Sequence, residues 1–166
     1  MAGAVFVTVG SQKFQFDRLI KAVDSLVASG AVQGGAFAQT GACSYLPAHM
    51  ANQRFLDRGQ FRERMAGCDV VVTHGGTGAI IGAVKAGKRV VAVPRLARYG
   101  EHVDDHQVEI VEQFGQMGLI EPCMDPVDLP GAYARALAGN YLPYESNTER
   151  FVADLAEYID EVGGAR

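Results

Sequence analysis

The residues best suited to chemistry form the segment His-Gly-Gly-Thr-Gly at positions 74–78. It stands between an apolar, β-branched run and an alanine- and isoleucine-rich run, the pattern of a strand, a turn and a helix. Glycine lets backbone N–H groups approach a ligand closely, and the first turn of a helix offers unpartnered N–H donors. The pattern therefore predicts a phosphate or diphosphate site at His74, Gly75, Gly76, Thr77 and Gly78. The alternative is a turn that only brings helix and strand close together.

Gly10 and Ser11 form a second glycine-containing turn, directly after an apolar run. In a parallel sheet the carboxyl ends of the strands meet at one edge, and ligands of open α/β sheets bind there. We therefore expect Gly10 and Ser11 to lie beside the 74–78 segment, where Thr73 adds a hydroxyl donor. Lys13 can reach an anion from the same turn, although a simple β-to-α turn with a solvated lysine fits these residues as well.

The loop after the apolar run Arg-Val-Val-Ala-Val-Pro is the third such segment. Its last residues, Asp105, His106 and Gln107, carry hydrogen-bonding groups that suit the hydroxyls of a sugar. Arg95 and Arg98 are expected to flank a phosphate, unless they are ordinary surface arginines. The coincidence of three polar segments at one sheet edge is stronger evidence for a ligand site than any one of them.

His102 and His106 stand four positions apart with acidic residues around them, so a metal site has to be considered. We expect none, because an aspartate at the start of a helix, here Asp104 or Asp105, normally caps its N–H groups. No third histidine or cysteine stands at ligand spacing, and the sequence has no Asp-x-Asp pair of the kind that holds Mg²⁺ on a diphosphate. The expected ligand therefore binds without a metal.

The elements that must position these residues alternate along the chain. The apolar runs lack polar alternation, which is typical of strands covered on both faces. The predicted strands are 4–10, 34–41, a short one near Phe55, 69–76, 89–94 and 119–122. The predicted helices are 16–29, one from about Gln60, 77–88, 104–118, 126–139 and 146–162. This order predicts an α/β fold, a Rossmann-like parallel sheet with helices on both faces.

The length of 166 residues suits a single domain that covers positions 1–166. The last predicted helix begins with Ser146 and Glu149 at capping-box spacing and carries an apolar stripe. That stripe packs on its own domain or contacts a partner, and the sequence leaves both interpretations open.

The composition is that of a globular protein, with 48% hydrophobic and 20% charged residues. A formal net charge of -4 provides no basic field, which argues against nucleic acid as a partner. Cys43, Cys68 and Cys123 show no disulfide or metal spacing and indicate reduced thiols in a cytoplasmic protein. The sequence shows no signal peptide and no bilayer-spanning run, so work at a membrane would need another protein to hold the chain there.

Three stretches together resemble the carboxyl-terminal half of family 28 glycosyltransferases: VFVTVGSQKFQFDRLI, VVVTHGGTGAIIGAVKAGKRVVAVPR and EHVDDHQVEIVEQF. The specific feature is the pairing of His-Gly-Gly-Thr-Gly with the later Asp-His-Gln. The sequence is most similar to short, stand-alone versions of that half. These are the soluble subunit of the eukaryotic dolichol-linked UDP-GlcNAc transferase and the bacterial subunits of exopolysaccharide and capsule transferases.

This resemblance implies one half of a GT-B fold that binds a UDP-sugar donor and needs no metal or other cofactor. The residues that it places in the donor site are Gly10, Ser11, His74, Gly75, Gly76, Thr77, Gly78, Asp105, His106 and Gln107. Among them residues 75–78 would face the diphosphate, and Asp105, His106 and Gln107 would contact the sugar.

The resemblance also implies a hexosyltransferase that moves the sugar to a lipid-linked acceptor in polysaccharide or glycolipid synthesis. A separate, membrane-anchored subunit would bind that acceptor, and the chain would be active only together with it. The chain itself would be cytoplasmic and peripheral to the inner face of the membrane. The identity of the sugar, with GlcNAc, galactose and glucuronate as candidates, is left open.

The sequence departs from many relatives at Gly82, where they carry a glutamate that contacts the ribose of uridine. Glu101 is a candidate replacement. The catalytic base is unassigned: His74, His102 and His106 are candidates by their ordinary pKa, and the resemblance implies a base from the other half instead.

A second hypothesis is a non-catalytic nucleotide-binding module that regulates or docks a partner. It would keep the glycine turn but would not need the sugar-contacting residues. A compact redox or NAD enzyme is a third, disfavoured because the Gly-x-Gly-x-x-Gly fingerprint is missing.

Overall fold

The computed structural model describes residues 3–146 together with Ala153 and Ala156, both of which are helical. The strands are β1 (Val5–Thr8), β2 (Ala36–Gln39), β3 (Ala51–Gln53), β4 (Val70–His74), β5 (Arg89–Val93) and β6 (Glu121–Pro122). The α-helices are α1 (Asp17–Ala28), α2 (Arg58–Ala66), α3 (Thr77–Lys85), α4 (His106–Gln116) and α5 (Leu129–Ala138). Short 3₁₀ turns lie at Ala97–Tyr99 and Pro126–Asp128.

The six strands form one sheet in the order β3-β2-β1-β4-β5-β6, and every pair is parallel. This is the strand order of a Rossmann-type doubly wound sheet. The chain adds strands on one side of β1 as far as β3 and on the other side from β4 onward. The helices that follow β1 and β4 therefore lie on opposite faces of the sheet. A crevice opens at such a point outside the carboxyl ends of the strands. The residues that follow β1 and β4 therefore line it.

Two hydrophobic layers cover the sheet, because successive strand residues point to opposite faces. Val7 and Val72 belong to the layer under α1 and α5. Phe6 and Val71 belong to the layer under α2, α3 and α4. All four side chains are at most 1% exposed, which explains why these strands show no polar alternation in the sequence.

The predicted order of elements and the parallel sheet are confirmed, with local differences. The third strand ends at Gln53, and Phe55, near which it was predicted, is half exposed. Helix α2 begins at Arg58 rather than near Gln60, because Asp57 and Gln60 form a capping box. In that box the Gln60 N–H donates to Asp57 Oδ1 at 2.9 Å, and the Asp57 N–H donates to Gln60 Oε1 at 3.0 Å.

The predicted helix 126–139 is two elements, a 3₁₀ turn followed by α5 with Pro130 in its first turn. The predicted helix 146–162 and its capping residue Glu149 lie outside the described residues, apart from Ser146, Ala153 and Ala156. In the described part of the chain no helix is both long and apolar enough to span a membrane. The three cysteines are buried and unpaired.

Candidate functional site

The three segments singled out by their residue types meet at the carboxyl edge of the sheet. Strands β1 and β4 are neighbours with Thr8 opposite Thr73, so the turns that follow them lie side by side. A Cβ built on Gly10 would lie 2.9 Å from His74 Cε1, and one built on Gly75 would lie 2.9 Å from Gln107 Cβ. The predicted convergence of these segments is therefore present in the structure.

The imidazole of His74 lies between two glycines. Gly10 approaches it from the turn after β1, with a φ of 78° that favours glycine. A Cβ on Gly76 would lie 2.5 Å from His74 Nε2, closer than side chains allow. Gly10 and Gly76 thus leave room for the His74 ring rather than for a ligand.

The remaining glycines of the turn divide between packing and exposure. Gly75 is buried, and a Cβ there would meet Gln107 and Val111 of α4 at 2.9 Å. Gly78 is exposed, and a Cβ there would meet no atom within 4 Å. The close-packing interpretation therefore holds for Gly75 and Gly76, while Gly78 presents bare backbone to open space.

The first turn of α3 carries the free donors of the site. Gly76 is the N-cap residue and supplies no side-chain cap, and the first helical bond runs from the Ile80 N–H to the Gly76 carbonyl at 3.0 Å. The N–H groups of Thr77, Gly78 and Ala79 have no acceptor in the described part of the chain. Together with the positive end of the helix dipole they form an anion-binding surface.

Thr73 does not contribute to that surface, contrary to the sequence prediction. Its side chain is fully buried, and its hydroxyl donates to the Thr8 carbonyl at 3.1 Å. Thr77, in contrast, is exposed at the start of α3. Thr77 is therefore the threonine that can offer a hydroxyl to a ligand.

His74 is held neutral. Burial, followed by the positive charge of Arg95, lowers its pKa to about 4. Its Nδ1 lies 3.3 Å from the Thr73 hydroxyl oxygen. At neutral pH the ring is uncharged, and a pKa so far below 7 makes it a weak general base.

Arg95 is the buried cation beneath this edge, and the prediction that it flanks a phosphate is wrong. It is 1% exposed. Its guanidinium donates to four main-chain carbonyls, those of Val9, Phe14, Gln15 and Glu101. Because these carbonyls belong to the turn after β1 and the loop after β5, Arg95 ties the two segments together. Burial lowers its pKa.

Glu101 is a second buried charge in the same loop. Its carboxylate oxygens accept from Arg18 Nε at 2.8 Å and from Arg18 Nη2 at 3.0 Å. The Leu96 N–H adds a third bond at 2.9 Å. Fully buried and doubly paired with Arg18, Glu101 is not free to replace a ribose-binding carboxylate.

The segment proposed to contact a sugar contains one buried and two exposed residues. Gln107 is 3% exposed, and its Oε1 accepts from the Arg95 N–H at 3.1 Å. Asp105 is exposed, and its carboxylate accepts from the Ala97 N–H at 2.7 Å. His106 is exposed at the first position of α4. His106 is thus the side chain of the three with the most freedom to reach a ligand.

A cavity of about 370 Å³ adjoins the first turn of α3. Gly10 and Ser11 form one side of it, Ala79 another, and Arg58 of α2 a third. Arg58 contributes a positive charge and the adjacent Asp57 a negative one. A ligand whose anionic group lies at the α3 N-terminus can extend into the cavity.

Comparison with known families matches the model of the glycosyltransferase family 28 C-terminal domain to residues 4–161. The chain belongs to this family. Family membership confirms the predicted resemblance to the carboxyl-terminal half of family 28 glycosyltransferases. Among curated proteins, none matches the chain significantly.

Solved glycosyltransferases share the fold of this family 28 domain. The glycotransferase of kitacinnamycin has a TM-score of 0.58 at 19% identity, over 80% of this chain and 34% of its own. The spinosyn forosaminyltransferase SpnP has a TM-score of 0.57 at 20% identity, over 81% of this chain and 35% of its own. MurG from Acinetobacter baumannii has a TM-score of 0.56 at 17% identity, over 92% and 49%. The chain therefore spans a third to a half of their length, and its Rossmann-like sheet corresponds to one half of a GT-B fold.

Gly82, where many family members are expected to carry glutamate, lies on an open surface of α3. It is exposed, and a Cβ there would meet no atom within 4 Å. Packing would therefore allow a glutamate side chain at position 82. Glu101 does not replace that carboxylate, because it is buried and paired with Arg18.

Proposed function

We propose that this family 28 domain is the donor-binding subunit of a two-chain glycosyltransferase. It binds a UDP-sugar and, with its partner, moves the sugar to a lipid-linked acceptor in polysaccharide or glycolipid synthesis. The observation that carries the proposal is the first turn of α3, where unpartnered N–H groups and the open side of Gly78 face the crevice. A diphosphate is the part of a UDP-sugar that such a surface recognises.

The same surface supplies the chemistry that the leaving group needs. As the bond to the sugar breaks, negative charge develops on the UDP diphosphate. Fixed N–H donors that already point at this position stabilise the charge without reorganisation. Binding and departure of UDP are therefore proposed to need no metal ion.

A membrane-anchored partner subunit is proposed to bind the acceptor and to supply the general base. His74 is too weak a base at neutral pH, since burial lowers its pKa to about 4. The chain spans at most half of the solved glycosyltransferases that it resembles. The partner would hold this domain at the inner, cytoplasmic face of the membrane.

Isothermal titration calorimetry with a panel of donors tests the proposal. The purified chain is titrated with UDP-GlcNAc, UDP-galactose and UDP-glucuronate, in EDTA and in Mg²⁺. We expect one donor to bind more tightly than UDP and EDTA to have no effect. Equal binding of UDP and all three donors would argue against recognition of a sugar by this chain.

A non-catalytic nucleotide-binding module is the second candidate, and the position of Gln107 favours it. Gln107 is buried and bonded to Arg95, so it acts as part of the loop's structure. His106→Ala separates the two candidates, with His49→Ala as an exposed control away from the edge. Loss of sugar transfer into a membrane lipid fraction, with UDP binding kept, supports the enzyme. Unchanged transfer supports the module.

A further inference from the structure

We propose that His102, Asp104 and His106 form a binding site for a transition-metal ion such as Zn²⁺. One potential ligand atom from each of the three lies within 4.8 Å of the others. His102 Nδ1 is 3.1 Å from Asp104 Oδ1, and His106 Nδ1 contacts the same carboxylate oxygen. The three ligands therefore already converge on one point. The site shares His106 with the segment proposed to contact the sugar, but metal binding is tested here without any donor.

The spacing fits a tetrahedral metal centre. Zn–N and Zn–O bonds of about 2.0–2.2 Å place neighbouring ligand atoms roughly 3.3 Å apart. The 3.1 Å between His102 Nδ1 and Asp104 Oδ1 is close to this value, whereas His106 Nδ1 lies nearer to the same oxygen and has to move outward to admit an ion. Asp104 and His106 are about half exposed, so their side chains can rotate to admit an ion between the two imidazoles.

The backbone and the neighbouring side chains hold the ligands in place. The His102 side chain is 10% exposed and packs beside the Phe14 ring, 5.6 Å between centroids. It follows Glu101, which Arg18 anchors through two hydrogen bonds. His106 is fixed as the first residue of α4. His102 is therefore held in position before an ion binds, while the exposed Asp104 and His106 side chains adjust to it.

The donor set decides which ions fit. Two imidazoles and one carboxylate favour Zn²⁺, Co²⁺, Ni²⁺ or Cu²⁺ over Mg²⁺, which prefers oxygen ligands. Three protein ligands leave a fourth position for water or another molecule. The third ligand is the Asp104 carboxylate rather than a histidine or cysteine. It also accepts a hydrogen bond from the His106 N–H at 3.2 Å, while Asp105 is the N-cap residue of α4 and makes no side-chain cap.

Metal titration of the tag-free chain tests the site directly, without any donor. Zn²⁺ binding is measured by calorimetry, and Co²⁺ binding by its visible absorption. The variants are His102→Ala, His106→Ala and the isosteric Asp104→Asn. His49→Ala is the control, because His49 lies on the loop beside Asp24, outside the cluster. Far-UV circular dichroism confirms that each variant is folded.

We expect one ion per wild-type chain, and affinity at least about tenfold lower in each of the three variants, since even changes outside the ligand shell cost this much. His49→Ala should bind like the wild type. A Co²⁺ spectrum without a thiolate charge-transfer band would exclude the buried cysteines as ligands. The proposal is overturned if the wild type binds neither ion, or if Asp104→Asn and His106→Ala bind as tightly as the wild type.

Discussion

At the scale of single residues, glycines in one short turn serve different purposes. Gly76 has no side chain because the His74 ring occupies that space, whereas Gly78 faces open space. Only the second arrangement leaves backbone free for a ligand. The two positions should therefore respond in opposite directions to the same substitution.

Gly76→Ala is expected to lower the free energy of unfolding by about 1–3 kcal/mol, because the new methyl group forces the half-buried His74 ring to move. Gly78→Ala is expected to raise it by up to about 1 kcal/mol, since alanine is the better residue in an exposed helical turn. Urea unfolding of both variants measures the difference. Equal effects of the two substitutions would contradict the assigned roles.

His74 should make the stability of the fold depend on pH. Its pKa is about 4 when folded, against about 6.5 for an unfolded histidine. Between these values the unfolded chain holds a proton that the folded chain does not, so stability falls as pH drops from 6.5 toward 4. From pH 7 to pH 5 the loss attributable to His74 is about 2 kcal/mol.

The variant His74→Gln isolates this effect, because other titrating groups are unchanged. The free energy of unfolding is compared at pH 7 and pH 5 in wild type, His74→Gln and the exposed control His49→Gln. We expect a flatter pH dependence in His74→Gln alone. The same slope in all three proteins would show that His74 titrates normally in the fold.

At the scale of elements, the buried side chains of Arg95 and Glu101 join the loops that shape the crevice. Arg95 bonds four carbonyls, and Arg18 bonds Glu101 across from α1. Arg95→Met should destabilise the fold by about 3 kcal/mol or more, because buried carbonyls lose their donor. Arg98→Met, an exposed neighbour stacked on Tyr99, should stay within about 0.5 kcal/mol of wild type.

Urea unfolding of the two arginine variants provides the measurement. Arg95→Lys is a useful third variant, since it keeps the charge but has a single donor nitrogen and cannot span both loops. We expect the free energy of unfolding of Arg95→Lys to lie between those of Arg95→Met and Arg98→Met. If Arg95→Met were as stable as Arg98→Met, the loops would not depend on the buried guanidinium.

Hydrophobic pattern was sufficient to predict the parallel sheet and the order of the described strands and helices, although not the bounds of β3, α2 and α5. Unbroken apolar runs ending in glycine mark strands such as β4, because burial on both faces leaves no polar alternation. The roles of Arg95 and Glu101 could not be predicted in this way. Their burial depends on how the loop after β5 folds back onto the turn after β1, and nothing local in the sequence distinguishes them from surface charges.

The candidate site was predicted in its location but not in its detail. The meeting of Gly10, the 74–78 turn and Gln107 follows from strand topology, which the sequence pattern specifies. The burial of Gln107 and the His74 ring between two glycines arise from packing between elements that are distant in sequence. The sequence placed acidic residues near His102 and His106 and expected Asp104 or Asp105 to cap α4. That the Asp104 carboxylate is the one that lies against both histidines became visible only in three dimensions.

At the scale of the whole molecule, the strand order places the anion-binding helix at the point where the sheet topology reverses. A single Rossmann-like half leaves one side of that crevice open, and the second half of a GT-B fold would cover it. We propose that the first turn of α3, on this open crevice, binds the UDP diphosphate.

The most direct test is calorimetric titration of UDP, in EDTA, into wild type, Gly78→Asp and Gly131→Asp. Gly78→Asp places a carboxylate where the diphosphate should lie, in space that the structure leaves open. Gly131→Asp adds the same charge in the first turn of α5, near Arg135. We predict that the wild type binds UDP, that affinity is at least about tenfold lower in Gly78→Asp, and that Gly131→Asp binds like the wild type. No binding by the wild type, or equal binding by all three, would contradict the account.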